Sequence, residues 1–431
     1  MIETLEIHNY KSLRKISLTE LPTFAVLVGA NAAGKSNFAD ALDFLSLVFR
    51  MGLAGAVRAK GGYENICFRR TRRSKAGLCF RVGARVTGAA GPPVRRRKEE
   101  LRRFWCLYDF AFKATTEAIG AEYRVTAENL SWQLEGPGRR LEPVLHVRRC
   151  PDPAVEQGSA WETIFGGHEV LPIDLLKEWV TARGVPEDEL LISAPYWTYL
   201  EPLALFAALL RSCRVYQFWP QRARDTGVPG RSPELGRSGE DLPAALDYLK
   251  EQDSDAFDEL VAHVQHTVPA IIKLETRYVE TKQLGLFFKE KGVGRPWFSM
   301  DVSDGTIQTV SLFLALVDKR VRTMLVEEPE NSLHPWILRH FMEACREKSE
   351  EKQILVTTQS PVAVDTVAPE SLFLVSRRDG ETHIKRCTDL HPETLQVMRE
   401  NLMGLGEHWE SGAIGGVPGD QMALFEDEGS T

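Results

Sequence analysis

Four residues of this chain are spaced for phosphate chemistry. Gly29, Gly34, Lys35 and Ser36 stand in the run GANAAGKS. Phosphate oxygens need many donors in a small space. Glycine at the first and sixth positions lets the backbone wrap inward without a Cβ clash. Main-chain N–H groups from Ala30, Asn31, Ala32 and Ala33, and a helix start at Asn37, can then face an anion. Lys35 would reach the β and γ phosphates of a nucleoside triphosphate, and the Ser36 hydroxyl would ligate Mg²⁺. Read blandly, the same residues are a Gly-rich turn. Far along the chain, TMLVEEPE ends an apolar run in Glu327 and Glu328. A P-loop needs a carboxylate at a neighbouring strand end for the metal shell, a role for Glu327. The next acid points differently, so Glu328 would polarise the attacking water. The bland reading here is a solvated acidic turn. ATP and Mg²⁺ are the ligands these residues imply.

The surrounding elements must hold those groups in place. FAVLVGA reads as a short buried strand running into the glycine loop. KSNFADALDFLSLVF comes next, with helical apolar spacing at Phe38, Leu42, Leu45 and Phe49. IETLEIHNYKSL alternates as a first strand. Residues 78–135 read as strands, broken by the loop TGAAGPPVRRRKEE. From 172 to 265 the pattern is helical, with DTGVPGRSPELGRSGED as a polar linker inside it. IIKLETRYVE and LGLFFKEK return to strand. SDGTIQTVSLFLALVDKR is a capped helix, TMLVEEPE and QILVTTQSP are buried strands, PWILRHFMEACREK is a helix, and SLFLVSRRDGETHIKRC is a hairpin. The boundaries expected are 1–150 for the N-terminal part of a nucleotide-binding head with a β lobe, 151–290 for a mainly helical insertion, 291–412 for the C-terminal part, and 413–431 for a loose tail.

The chain has 431 residues, enough for two or three cores, and 43% of them are apolar. No apolar run reaches the roughly 18 residues of a membrane span, so a cytoplasmic protein is expected. Seven scattered cysteines without a C-x-x-C argue against disulfides and zinc. Residues 69–103 carry thirteen Lys/Arg against two Glu, a local +11 in a chain of −7, which leaves −18 elsewhere. That segment is either a solvated basic loop or a phosphate-backbone contact for nucleic acid. His334, His340, His383 and His391 lack zinc spacing. Trp105, Trp132, Trp161, Trp197 and Trp219 read as core anchors, with Trp105 the one candidate base-stacking ring.

The ordered set GANAAGKSN, VSDGT, LVEEPENSLHP and LVTTQSP resembles the ABC-type ATPases. It is most similar to the bacterial AAA_21/AAA_15 group and the ATPase half of overcoming-lysogenization-defect nucleases, relatives of the RecF and structural-maintenance-of-chromosomes ATPases. The likeness covers about 1–60 and 298–378. It implies an α/β fold, an ABC-type P-loop head in which an antiparallel β lobe packs on a mainly parallel P-loop sheet, with a mainly helical insertion. It also implies that Ser303, Asp304, Gly305 and Thr306 start a helix whose free N–H groups face the γ-phosphate bound by an opposite subunit; alone, SDGT is a helix cap. Glu330, Asn331 and Ser332 would form the crossing loop, with His334 and Pro335 opening the next helix. Tyr10 and Lys11 would lie near the adenine, or only make a turn. ATP would then join two copies into a homodimer or larger homo-oligomer.

Two departures from the pattern matter. Gln359 stands where the group usually has histidine; an amide can bond a γ-phosphate without carrying an imidazolium charge, which implies slow turnover. No glutamine lies between Ser36 and Gln133, so the one that normally joins the Mg²⁺ shell has no assignment. The 72 residues after Gln359 hold no D-x-D for a nuclease of that group. The expected function is therefore an ATPase that controls a separately encoded effector, a nuclease, in phage defence. Two alternatives stand beside it: a repair or recombination ATPase that clamps duplex DNA, and a scaffold for which ATP is structural.

Overall fold

The structure is a computed structural model, and it describes residues 1–68, 77–89, 101–116, 122–150, 152–161, 164, 177–178, 180, 185–193, 200–280, 282–390, 404–412 and 414. It forms two compact units. One comprises residues 1–22, 37–213 and 377–384; the other comprises 23–36, 214–376 and 385–431.

The first unit is built on a seven-stranded sheet. Its strands are β1 (Ile2–Tyr10), β2 (Leu13–Leu18), β4 (Leu78–Ala89), β5 (Leu101–Ala114), β6 (Tyr123–Glu135), β7 (Leu141–Cys150) and β8 (Ala154–Gln157), in the order β2-β1-β4-β5-β6-β7-β8. Every pair is antiparallel. Alternation decides the faces. Phe80, Phe110 and Phe112 are buried and stack, with centroids 5.5 Å and 6.2 Å apart. On intervening positions Arg81 pairs with Glu6 and Asp109, each at 3.5 Å. The helix Lys35–Ala59 lays Phe38, Leu42, Leu45 and Phe49 in the interior, as the spacing predicts, and runs ten residues beyond Phe49. It breaks at Gly52, where φ is 78°, and Glu189 restarts it by accepting from the N–H groups of Leu53 (3.0 Å) and Ala54 (3.3 Å).

The second unit holds most of the P-loop sheet, whose strands are β3 (Phe24–Val28), β9 (Cys213–Tyr216), β13 (Thr323–Glu327), β14 (Gln353–Thr358), β15 (Leu372–Arg378) and β16 (Glu381–Arg386), in the order β16-β15-β3-β14-β13-β9; residues 377–384 of β15 and β16, and Cys213 of β9, fall in the first. The pairs β13–β14, β14–β3 and β15–β3 are parallel. A smaller antiparallel sheet joins β10 (Ile271–Tyr278), β11 (Leu284–Glu290) and β12 (Trp297–Phe298). The helices Leu242–Gln252, Ser254–Thr267 and Asp304–Val317 add Leu246, Leu260 and Phe313 to the core that contains Val26, Val326 and Val356.

The expected boundaries are corrected. Residues 151–290 are not one helical insertion. β9 is a strand of the P-loop sheet, β10 and β11 are strands of the smaller sheet, and everything from Arg214 to Ser376 belongs to the P-loop unit. A four-residue strand is too short for periodicity to separate it from helix. The tail 413–431 lies outside the described residues apart from Ile414. None of the seven cysteines is in a disulfide. Among the described residues no helix is long and apolar enough to cross a membrane.

Candidate nucleotide site

Register brings the motifs together. In the parallel ladder Val28 pairs with Thr358, Thr357 with Glu327, and Leu374 with Val28. The carboxyl ends of β3, β13 and β14 are therefore level, and β15 passes them at Leu374 and runs on to Arg378. The loop leaving each of the first three emerges at one rim, where open α/β sheets bind their ligands.

The loop after β3 is tightly confined. A Cβ at Gly29 would lie 2.2 Å from the Val375 carbonyl oxygen, so only glycine fits. Gly34 has φ 108°, and Ala32 also sits in the left-handed region at φ 62°. The Lys35–Ala59 helix starts at Lys35, and Ser36 is at its N-terminus. Lys35 is buried, and its ammonium donates to the carbonyls of Gly29 (2.7 Å) and Ala30 (3.1 Å). Burial lowers its pKa, an effect opposed by Glu328, Glu330 and Glu327. Ala33 is buried, and Asn37 lies in the first unit, where its amide donates to Ser12 Oγ (2.6 Å).

The two acids at the end of β13 differ sharply. The Glu327 side chain is 1% exposed and receives Arg237 Nη2 at 2.7 Å. Glu328 is more open; its Oε1 lies 3.8 Å from Lys35 Nζ, and its N–H donates to the Thr357 carbonyl (2.8 Å). It has φ 45°, a conformation that costs a glutamate on the order of 1–3 kcal/mol. Two residues on, Glu330 Oε1 accepts from Thr358 Oγ1 and from the Gln359 N–H, both at 2.8 Å. Its Oε2 is buried without a hydrogen-bond partner, and burial raises its pKa. Glu330 thus fixes the backbone of Gln359.

Ser303 caps the Asp304–Val317 helix, its Oγ accepting from the Thr306 N–H (3.2 Å). Arg224 braces the turn through Asp304, the Val302 carbonyl and, at 3.1 Å, the Ser299 carbonyl. A Cβ on Gly305 would stand 2.9 Å from the Ser332 carbonyl oxygen, which packs this helix start against the loop after Glu328.

Three polar residues of the second unit escape the sequence reading. Arg224 stands just before, and Arg237 within, the stretch that reads as a polar linker, and nothing in its periodicity marks them. Gln217 is the first residue after β9, the strand beside β13, and its N–H donates to the Arg237 carbonyl (2.8 Å). A short β-prone run before it, CRVY, is the signal that could have found it.

Other expectations are redrawn. Tyr10 is fully buried against Phe44 and Phe80, with its hydroxyl on Asp40 (2.7 Å), so its ring offers no face to adenine. Lys11 pairs with Asp40 at 2.5 Å. Trp132 and Trp161 are buried anchors, Trp219 is 56% exposed, and Trp197 lies outside the described residues. Trp105 covers Gly83 and stacks with Arg85 at 5.4 Å, which occupies the candidate base platform. Most of the basic segment, 69–76 and 90–100, lies outside the described residues; Arg81 and Arg85 within it are paired with acids.

The residues fit a nucleotide with Mg²⁺. Gly29 lets the loop pass hard against the Val375 carbonyl, Ser36 brings a hydroxyl to the start of the Lys35–Ala59 helix, and Glu327 brings a carboxylate to the end of β13. Among the described residues no cluster of three or more His, Cys, Asp or Glu side chains is placed to hold a metal alone. A P-loop Mg²⁺ needs only one or two protein oxygens beside phosphates and water.

Strand, glycine loop, buried lysine and paired acids on one rim define a P-loop ATPase domain. The family model described as "AAA domain, putative AbiEii toxin, Type IV TA system" matches residues 24–76 and 188–365, more than half of the chain. The chain belongs to that family, AAA_21. Among solved structures it is similar to a SmcHead bound to the C-winged helix domain of ScpA (15% identity, 89% of this chain and 97% of that chain, TM-score 0.41). It is similar also to the SMC head domain from Thermotoga maritima (12%, 89% and 98%, 0.40). A third is an Smc head domain with an extended coiled coil bound to the C-terminal domain of ScpA derived from Pyrococcus furiosus (14%, 93% and 98%, 0.39). No curated protein matches the chain.

Proposed function

We propose that this protein binds Mg²⁺-ATP in the Gly29–Ser36 loop and hydrolyses it slowly. Two copies would pair head to head, and the ATP state would regulate or scaffold a separately encoded effector, a nuclease in anti-phage defence. The observation that carries the nucleotide part is Lys35 Nζ at 3.8 Å from Glu328 Oε1, one residue past Glu327, where β13 ends one strand beyond β14 from β3. Lys35 holds the phosphates by charge. Ser36 and Glu327 are the residues that would hold Mg²⁺, which when bound neutralises charge on the phosphate oxygens. Glu328 orients water and takes its proton. Gln359, fixed by Glu330, donates an amide hydrogen bond. The Ser303–Thr306 helix start adjoins Ser332 of its own chain, a placement that suits service to a second copy. The effector reading draws on the motif set and on the family description, which names a toxin and a toxin–antitoxin system. Gln359 in place of histidine favours a second reading, an ATP-bound scaffold with little turnover.

Radiolabelled ATP binding and particle mass test this together. Lys35→Ala should lose binding by on the order of a hundredfold or more, as removal of a buried charge from phosphate implies. Glu328→Gln should keep binding, lose turnover and double its mass with Mg²⁺-ATP. Equal ATP affinity in Lys35→Ala and wild type would end the nucleotide reading. Turnover that persists unchanged in Glu328→Gln would remove Glu328 from its role.

A further inference from the structure

Glu327 has a resident cation. Its carboxylate closes β13 with 1% of the side chain exposed, and such a charge is costly to bury without a partner. Arg237 supplies one at 2.7 Å. The arginine comes from the loop between β9 and the Leu242–Gln252 helix. That loop is fastened by its backbone: the Gln217 N–H bonds the Arg237 carbonyl at 2.8 Å, the Trp219 N–H bonds the Ser238 carbonyl at 3.0 Å, and Gly236 and Glu240 close a turn at 2.8 Å. The guanidinium is therefore aimed at Glu327 by the β9 strand end. Unlike the acid it holds, the Arg237 side chain is 33% exposed, so it has water to move into.

A guanidinium and a divalent cation cannot share one buried carboxylate oxygen without strong repulsion. We propose that Arg237 is a guard on the metal-binding carboxylate: it neutralises Glu327 in the nucleotide-free protein and must yield when Mg²⁺ arrives with the phosphates. Metal loading is then an exchange of cations rather than the filling of an open seat. The exchange makes nucleotide binding depend more steeply on Mg²⁺, and it couples loading to the β9 end, where Gln217 is tied to the same arginine. This inference rests on reading Glu327 as a Mg²⁺ ligand.

The test uses the full chain and a fluorescent ATP analogue titrated in EDTA and across a range of Mg²⁺ concentrations. In Arg237→Ala the Mg²⁺ concentration for half-maximal tightening should fall by about tenfold, since the competing buried ion pair is gone. Its nucleotide-free melting temperature in EDTA should also drop. Should Arg237→Ala not fold, Arg237→Gln keeps a donor, loses the charge and gives the same comparison. A folded variant with an unchanged Mg²⁺ midpoint overturns the inference, and so does a raised midpoint, which would make Arg237 a support of the metal site. A wild-type chain that binds no analogue fails earlier, at the P-loop, and takes the inference with it.

Discussion

In the seven-stranded sheet each strand shows one face to an aromatic core and the other to charged neighbours. In the P-loop sheet β3, β13 and β14 are buried along their whole length, on both faces. The first arrangement gives alternation and leaves room for polar side chains anywhere along a strand, as Arg81, Asp109 and Glu6 illustrate. The second leaves room for them only where a strand stops. That is why Lys35, Glu327, Glu328 and Gln359 all come at or after strand ends, and why the parallel register matters more to the site than any one contact. The family model respects the same division, since it skips residues 77–187, where β4 to β8 lie. The antiparallel sheet is a matter of stability, and the parallel rim is a matter of chemistry.

Substitutions at three positions would break or sharpen that contrast. The largest effect should come from Phe110→Ala. This ring is 1% exposed and packs on Phe80, Tyr108 and Phe112. Its loss should cost about 3–5 kcal/mol of stability by denaturant unfolding, while nucleotide affinity at a temperature where the protein remains folded stays the same. A parallel loss of affinity would dissolve the division.

Asp40 gives the next effect, again on stability. Burial alone would raise its pKa, but the Lys60 charge, with hydrogen bonds from Lys11, Lys60 and Tyr10, holds it at about 2 against an ordinary 3.8. A depressed acid stabilises above its unfolded pKa and loses that stabilisation as pH falls through the folded one. The contribution, on the order of 2 kcal/mol, should be complete above pH 4 and disappear toward pH 2. Asp40→Asn should be less stable than wild type at pH 6 and equal to it near pH 2. Curves that stay parallel throughout would show that the Lys11–Lys60–Tyr10 cluster does not depend on the charge.

The smallest effect belongs to the rim. Glu330→Ala should lower ATP turnover by about tenfold, near 1.4 kcal/mol, with ATP affinity unchanged, because Gln359 loses the acceptor for its N–H. Glu330→Gln should recover most of the rate, since burial already favours the neutral form of this acid and the amide oxygen still accepts. Failure of glutamine to rescue would mean that the charge itself is needed.

Much of the site was legible because its pieces are contiguous. Strand, glycine loop and helix from Phe24 to Phe49 encode their own geometry, and the buried run before Glu327 announces a strand end. What was not legible came from pairs far apart in sequence. Arg237 meets Glu327 across 90 residues, and Arg224 meets Asp304 across 80. Arg224 precedes, and Arg237 lies within, a stretch whose composition reads only as linker. The placement of β9 was hidden for a related reason: four apolar-leaning residues carry no period.

By itself the amino-acid sequence settled the local chemistry: which loop can wrap a phosphate, which acids end a buried strand, and which helix begins with a serine cap. Local backbone preference and side-chain spacing are properties of a few neighbouring residues, so a linear reading reaches them. The partners of those groups were decided by the tertiary structure alone. Register in a parallel sheet joins strands that never adjoin along the chain, and a buried carboxylate must be neutralised by whatever cation the fold brings to it.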